Sequence, residues 1–333
     1  MPPPFSIPPS PARTPFWLWP HVFSLEAPVV AMLWLAALAR VDRLALMPGV
    51  MAGLGLAVWL VYLADRILDA WGLPAAVLDL RHRFYRQFRW PLMLLAMPAA
   101  VATLAWLGLW VVPAGLLAHS LAQVLPIALY LVLYSVSSLR LRRWLLQAGV
   151  LLLLLFVNAL PISAPVRMIT SSLIIVGSLT LLSLRWHEHM DRFFRKELAA
   201  GILFAFGCTT WTRFHTLGNE GPDTWLELIL LSLLFVCNLS LINSREHLTE
   251  DNAQESQATV RGGLVLAVLA LAAMPAGLLP LPLLPLTAAV TAGLAGLEIL
   301  WWKRLKLSPE AFRVWADVVT AMPAAGLLLW PLG

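Results

Sequence analysis

The sequence predicts an all-α integral membrane protein that crosses the bilayer many times, and three observations lead to this fold class. Hydrophobic residues make up 60% of the chain and charged residues only 12%, whereas soluble domains carry about 25% charged residues. The mean hydropathy is +0.80. Apolar runs close to the roughly 20 residues that a spanning helix needs recur from one end of the sequence to the other.

The apolar runs divide the chain into a tail and one helical domain. Residues 1–20 are rich in proline and are expected to form a disordered tail, and residues 21–333 to form a single transmembrane domain of about 9–11 helices. Eleven segments are candidate spans: 22–39, 47–65, 91–112, 114–136, 144–161, 168–184, 198–212, 225–243, 262–279, 281–302 and 312–331.

Local signals support several boundaries. Pro113 separates two spans, and Ser308 followed by Pro309 and Glu310 is typical of a helix N-terminus. Thr224 and Glu227 have the spacing of a capping box.

The basic residues indicate how the spans are oriented. If the N-terminus is cytoplasmic and the spans alternate, 19 of the 23 Lys and Arg residues lie on the inside, and only Arg40, Arg43, Arg167 and Arg213 lie outside. This asymmetry follows the positive-inside rule. The net charge of +5 therefore reflects topology, and no nucleic-acid partner is expected.

Two pairs of carboxylates are the main candidates for chemistry. Asp65 and Asp69 end the second span, and Glu246 and Glu250 repeat the four-residue spacing after the eighth. Residues at i and i+4 lie about 5–6 Å apart on one helix face, and Mg²⁺ is usually held by one or two carboxylates together with substrate phosphates. Both pairs fall on the predicted cytoplasmic side, where they could bracket a diphosphate. The alternative is that Asp65, Arg66 and Asp69 are only interfacial anchors.

Cations that could bind phosphate oxygens lie in the same inside loops. These residues are Arg81, Arg83, Arg192, Arg195 and Lys196. The residue types and their placement predict a metal–phosphate site.

At these motifs the chain resembles the UbiA superfamily of intramembrane prenyltransferases. The first family motif, N-D-x-x-D-x-x-x-D, is similar to VYLADRILD, in which Asp65 and Asp69 match the last two acids and Val61-Tyr62 replaces Asn-Asp. The second, N-x-x-R-D-x-x-x-D, is similar to NSREHLTE, which keeps Asn243 and Arg245 and has glutamate at 246 and 250. Tyr62 could line an acceptor pocket or anchor at the interface, and the anchor is the favoured interpretation.

A third family segment, basic and followed by a glycine-containing helix, resembles RKELAAGILFAFG, which begins at Arg195. The upstream stretch LRRWLLQAGV (141–150) is a rival match that fits less well. If the later match is correct, residues 144–184 form an inserted hairpin in a bundle that usually has nine helices.

The resemblance implies a helical bundle whose central cavity holds an isoprenyl diphosphate and a lipophilic acceptor among membrane lipids. It further implies Mg²⁺ bound by Asp65, Asp69, Glu246 and Glu250, and diphosphate contacts from Arg81, Arg83, Lys196 and Arg245. The expected location is a bacterial inner (plasma) membrane. Two alternatives remain open: a non-catalytic relative that binds a lipid or partner, and a transporter, which is disfavoured because the acids gather at one face and no repeat is evident.

Overall fold

A computed structural model describes residues 16–72, 80–135, 195–216, 221–246 and 249–330, and a few isolated positions between 144 and 172. Helices are the only regular secondary structure in these residues. The main helices are α1 (Glu26–Val41), α2 (Pro48–Gly72), α3 (Leu80–Gln87), α4 (Met97–Trp110), α5 (Ala114–Ser135), α6 (Lys196–Cys208), α7 (Thr210–His215), α8 (Pro222–Glu246), α9 (Glu250–Ala273), α10 (Leu284–Trp302) and α11 (Pro309–Leu329). Short turns precede or extend them at Phe16–Leu18, Trp19–Val22, Arg89–Pro91, Leu92–Ala96, Leu281–Leu283 and Arg304–Lys306.

Seven helices in the described part of the chain are long and apolar enough to cross a membrane, so the protein is a multi-pass helical bundle. They are α2, α4 with its preceding turns, α5, α8, α9, α10 with its preceding turn, and α11. They correspond to the second, third, fourth and last four predicted spans. The fifth and sixth predicted spans, and with them the inserted hairpin, fall outside the described ranges.

The first and seventh predicted spans are not helices of membrane length in the structure. The first is α1, which is only 16 residues long and lies inside the bundle. The seventh is broken into α6 and α7 at Thr209, whose hydroxyl donates to the carbonyl of Ala205 at 3.0 Å. The hydroxyl of Thr210 donates to the carbonyl of Phe206 at 2.9 Å. Such side-chain bonds to preceding carbonyls bend helices.

The core is built on α1 and α8. Trp34 of α1 is fully buried, and its indole N–H donates to the carbonyl of Thr320 in α11 at 3.1 Å. Phe235 of α8 contacts both Trp34 and Phe204 edge-on. Gly201 lets α6 approach α8 closely, because a Cβ atom there would lie 2.7 Å from the backbone nitrogen of Val236. Small residues permit such close approaches between membrane helices.

Two of the predicted caps can be compared with the structure. The Ser308 side chain accepts a hydrogen bond from the amide of Ala311 at 3.1 Å and Pro309 is the first residue of α11, which confirms that boundary. The capping box at Thr224 is wrong, because α8 already begins at Pro222. A threonine cap does occur at the next helix, where Thr249 caps α9. This helix starts twelve residues before the predicted ninth span.

Candidate functional site

A large cavity of about 1340 Å³ lies beside α2. Its lining includes every fourth residue of that helix from Gly49 to Asp69, a rise of about 30 Å at 1.5 Å per residue. Helices α4, α5, α6 and α8 supply other walls. The cavity is larger than the 300–1,000 Å³ typical of drug-sized ligand sites, so it suits a long ligand or two ligands.

One end of the cavity contains a ring of alternating charges. Asp65 Oδ1 lies 3.2 Å from Nζ of Lys196, and Asp69 Oδ2 lies 3.8 Å from the same nitrogen. Nη1 of Arg66 lies 3.9 Å from Asp65 Oδ2 and 3.5 Å from Asp69 Oδ2. Asp65 and Arg66 are buried. The prediction that Asp65 and Asp69 share one helix face is confirmed by these common partners.

A second group of charges lies at the same end of the cavity, close enough for Glu246 to interact electrostatically with Arg66. Glu246 at the end of α8 pairs with Arg313 of α11, and its Oε1 lies 4.0 Å from Nη2 of buried Arg81. Glu246, Arg313 and Asn243 all line the cavity. Glu246 therefore has two basic partners, while Glu310 also lines the cavity and Asp317 lies close enough to Arg313 and Arg81 to interact with them electrostatically.

Three predicted site residues lie away from the cavity. Arg245 donates to the carbonyls of Arg304 and Leu307 at 3.1 and 2.8 Å and so fastens the connection between α10 and α11. Arg83 is exposed on α3, and Glu250 is exposed in the first turn of α9. Arg81 and Lys196, in contrast, lie in the site.

Tyr62, for which an interfacial anchor was the favoured interpretation, and Arg66, an anchor only in the alternative interpretation, are both part of the cavity wall. Arg66 is 8% exposed. Within the described residues the Nε of Arg66 is buried without a hydrogen-bond partner. The sequence contained an indication that these two residues face the cavity. Tyr62 and Arg66 are four residues apart on the same helix, like Asp65 and Asp69.

The site contains an imidazole that the sequence reasoning did not single out. His21 lines the main cavity, and its Nδ1 lies 2.8 Å from Oε2 of Glu26. His21 also lines a second pocket of about 20 Å³, together with Arg81 and Asp317. That volume holds about one water molecule. Asp317 in turn accepts a hydrogen bond from the Asn238 side chain at 3.1 Å.

Away from the charged end, the cavity lining is mostly apolar, with a few uncharged polar side chains. Gln123 of α5 donates to the hydroxyl of Thr210 at 2.8 Å, and both residues line the cavity. The neighbouring wall is formed by Val50, Leu116 and Leu117. The cavity thus joins a charged end to a long apolar interior.

A third acidic group lies outside the cavity lining, where α1 ends. Asp42 follows α1 and hydrogen-bonds with Glu227 of α8, and Asp223 is nearby. Burial raises the pKa of Asp42 to about 6, and the negative charge of Asp223 adds to the shift, while the hydrogen bond with Glu227 opposes it. This group is a structural contact between α1 and α8.

The residues present constrain which metal could bind. The described part of the chain contains no group of three or more carboxylate, histidine or cysteine side chains able to hold one ion, so the predicted set of four carboxylates is not brought together. Asp65 and Asp69 alone still fit Mg²⁺ that arrives with a diphosphate, because such ions take one or two protein carboxylates and complete their shell with phosphate and water.

Comparison with known proteins identifies no relative for this chain. No protein-family model, no curated protein and no solved structure matches it.

Proposed function

We propose that this chain is a divergent intramembrane prenyltransferase, similar to the UbiA superfamily, that moves an isoprenyl group from a diphosphate donor to a lipophilic acceptor. One observation supports the proposal above all: a single cavity joins the charged ring of Asp65, Arg66, Asp69 and Lys196 to a long apolar interior. This polarity matches an amphiphile with an anionic head and a hydrocarbon tail. The bacterial inner membrane is the proposed location, with the charged end on the cytoplasmic side.

The cations at the charged end can bind the diphosphate. Lys196 and Arg66 both line the cavity, and Arg66 carries a buried N–H donor without a protein partner among the described residues. Guanidinium and ammonium groups form strong, charge-assisted hydrogen bonds with phosphate oxygens. Arg313 also lines the cavity, where it pairs with Glu246, and Arg81 lies 4.0 Å from the same carboxylate.

The proposed reaction breaks the allylic C–O bond of the donor, and the electron pair leaves with the diphosphate. A nucleophilic atom of the acceptor bonds to the allylic carbon and loses its proton. When bound with the donor, Mg²⁺ neutralises charge that develops on the leaving group. Lys196 and Arg66 stabilise the same charge, and the apolar wall excludes water that would otherwise capture the cation.

His21 is the residue we assign to accept the acceptor's proton. Its Nδ1 is held by Glu26, which leaves Nε2 as the ring nitrogen that can act as a base at the cavity. The carboxylate of Glu26 fixes the orientation of the ring.

A non-catalytic protein that binds an isoprenoid lipid is the second candidate. Two observations favour it: Asp65, Asp69 and Glu246 already have basic partners, and no three-ligand metal group occurs in the described ranges. Such a protein would use the same cavity without transferring the tail.

Binding of farnesyl diphosphate to detergent-purified protein, with and without Mg²⁺, tests the proposal. We expect wild type to bind more tightly with Mg²⁺, and Asp65→Asn to lose that metal dependence. Glu250→Gln is the matched control, because Glu250 is exposed and outside the cavity lining. Release of diphosphate in the presence of a membrane lipid extract would favour the enzyme, and tight binding without release would favour the second candidate. Absence of binding would refute both.

A further inference from the structure

The depth of the cavity, taken with the proposed function, leads to an inference about the donor. Gly49, Gly53, Ala57 and Val61 line the cavity at four-residue intervals and are followed by Asp65. The rise between Asp65 and Gly49 is about 24 Å, and between Asp65 and Gly53 about 18 Å. An extended isoprene unit has four C–C bonds of about 1.5 Å and spans about 5 Å. The cavity therefore has room for about five units between Asp65 and the level of Gly49, and for between about three and four units between Asp65 and the level of Gly53.

Gly53 is the position at which a side chain would close this space. A Cβ atom built on Gly53 has nothing within 4 Å, although the residue is only partly exposed and lines the cavity. Gly49 and Gly108 differ, because a Cβ atom there would lie 2.4 Å from Val111 and 2.9 Å from Leu117 respectively. These two glycines serve helix packing, whereas the space beside Gly53 belongs to the cavity.

We propose that the donor is an isoprenyl diphosphate of about five isoprene units, and that Gly53 is the residue that determines the longest tail the cavity accepts. The head lies at Asp65, Arg66 and Lys196, and the tail runs along α2 toward Gly49. Arg66, which is more than nine-tenths buried and has an N–H without a partner in the described residues, fixes the end at which the anionic head lies. This inference rests on the proposed function.

Gly53→Phe tests the proposal, because the ring should fill the cavity without displacing protein atoms. Helical side chains lean toward the N-terminus of their helix, so the ring would occupy the space between the levels of Gly53 and Gly49. Phenylalanine also favours helix more than glycine does, so the variant is expected to fold. Gly262→Phe is the matched control, because Gly262 is an exposed glycine of α9 with open space around it and lies outside the cavity lining.

The measurement is the affinity of each protein for farnesyl diphosphate, with three units, and geranylfarnesyl diphosphate, with five. We expect wild type and Gly262→Phe to bind both, and Gly53→Phe to keep farnesyl diphosphate within about twofold while binding the longer donor at least tenfold more weakly, a difference of about 1.4 kcal/mol. Equal affinity of Gly53→Phe for both donors would overturn the inference, as would loss of both. If wild type binds neither donor, the proposed function itself fails. Gly53→Leu provides a second, smaller plug should the phenylalanine variant be poorly expressed.

Discussion

The ammonium nitrogen of Lys196 lies 3.2 Å from Oδ1 of Asp65, which stands 131 residues earlier in the chain. This contact joins the first residue of α6 to the last turns of α2. It places the start of one helix and the end of another at the same end of the bundle. The charged ring at the cavity therefore depends on the tertiary fold, because one of its two cations, Lys196, comes from a distant segment.

Replacing Lys196 with glutamine should weaken binding of farnesyl diphosphate about tenfold, or about 1.4 kcal/mol. The ammonium group lies at the cavity, and glutamine retains a hydrogen-bond donor while losing the charge. Arg195→Gln is the adjacent control, since Arg195 pairs with Glu255 and is outside the cavity lining. Titration calorimetry would measure both variants. Equal losses in the two would show that only general positive charge matters.

Glu246→Gln should lower stability, while Glu250→Gln should leave it unchanged. Removing the negative charge of Glu246 takes away an anionic partner from two basic residues, the buried Arg81 and Arg313. After allowance for the partial exposure of Glu246, the loss should be about 1–2 kcal/mol. Thermal unfolding in detergent would measure this loss. A drop in Tm for Glu250→Gln as large as that for Glu246→Gln would contradict the assignment of these two glutamates.

Gly201→Ala should destabilise the bundle by about 1–3 kcal/mol through overpacking. The new Cβ would lie 2.7 Å from the backbone nitrogen of Val236 and 2.6 Å from its Cγ2, and a backbone atom cannot rotate away. Gly262→Ala is the control, because its Cβ meets nothing within 4 Å, and alanine should leave stability unchanged or raise it slightly. Comparison of the two Tm values tests the close approach of α6 and α8; equal values would refute it.

The raised pKa of Asp42, which directly follows α1, predicts that the stability of the protein depends on pH. Burial raises this pKa from 3.8 to about 6, so the folded protein binds a proton more tightly than the unfolded chain. The contribution of Asp42 to folding stability is therefore fully present below about pH 4 and is lost as the pH rises through about 6. Asp42→Asn should therefore be more stable relative to wild type at pH 7 than at pH 4. Tm measured across this range provides the check, and a constant difference would contradict the assigned shift.

The sequence predicted the features that depend on local spacing. The apolar runs gave the seven described helices of membrane length, Ser308 and Pro309 gave the start of α11, and the four-residue interval gave the common partners of Asp65 and Asp69. Each of these follows from the geometry of a single helix, which neighbouring segments do not alter.

Features that depend on tertiary contacts could not be predicted in this way. Arg245 has a charge suited to phosphate binding, yet it donates its hydrogen bonds to two carbonyls in the connection between α10 and α11. Glu250 repeats the spacing of the aspartates. However, α8 ends at Glu246 and α9 begins at Glu250 with Thr249 as its N-cap, so the two glutamates are not on one helix. The roles of His21 and Arg313 are not visible in sequence, because their partners come from the packing of several helices.

The cavity lining along α2 is wound around the helix rather than straight. Each four-residue step advances 40° beyond a full turn, so the lining rotates by about 160° between Gly49 and Asp65. A tail that followed this lining would therefore bend sideways along the helix. Isoprenoid chains can follow such a curved path because three freely rotating single bonds separate each double bond from the next. We expect a stiff conjugated polyene of the same length to be excluded, so that flexibility of the tail, as well as its length, is selected by the wall of α2.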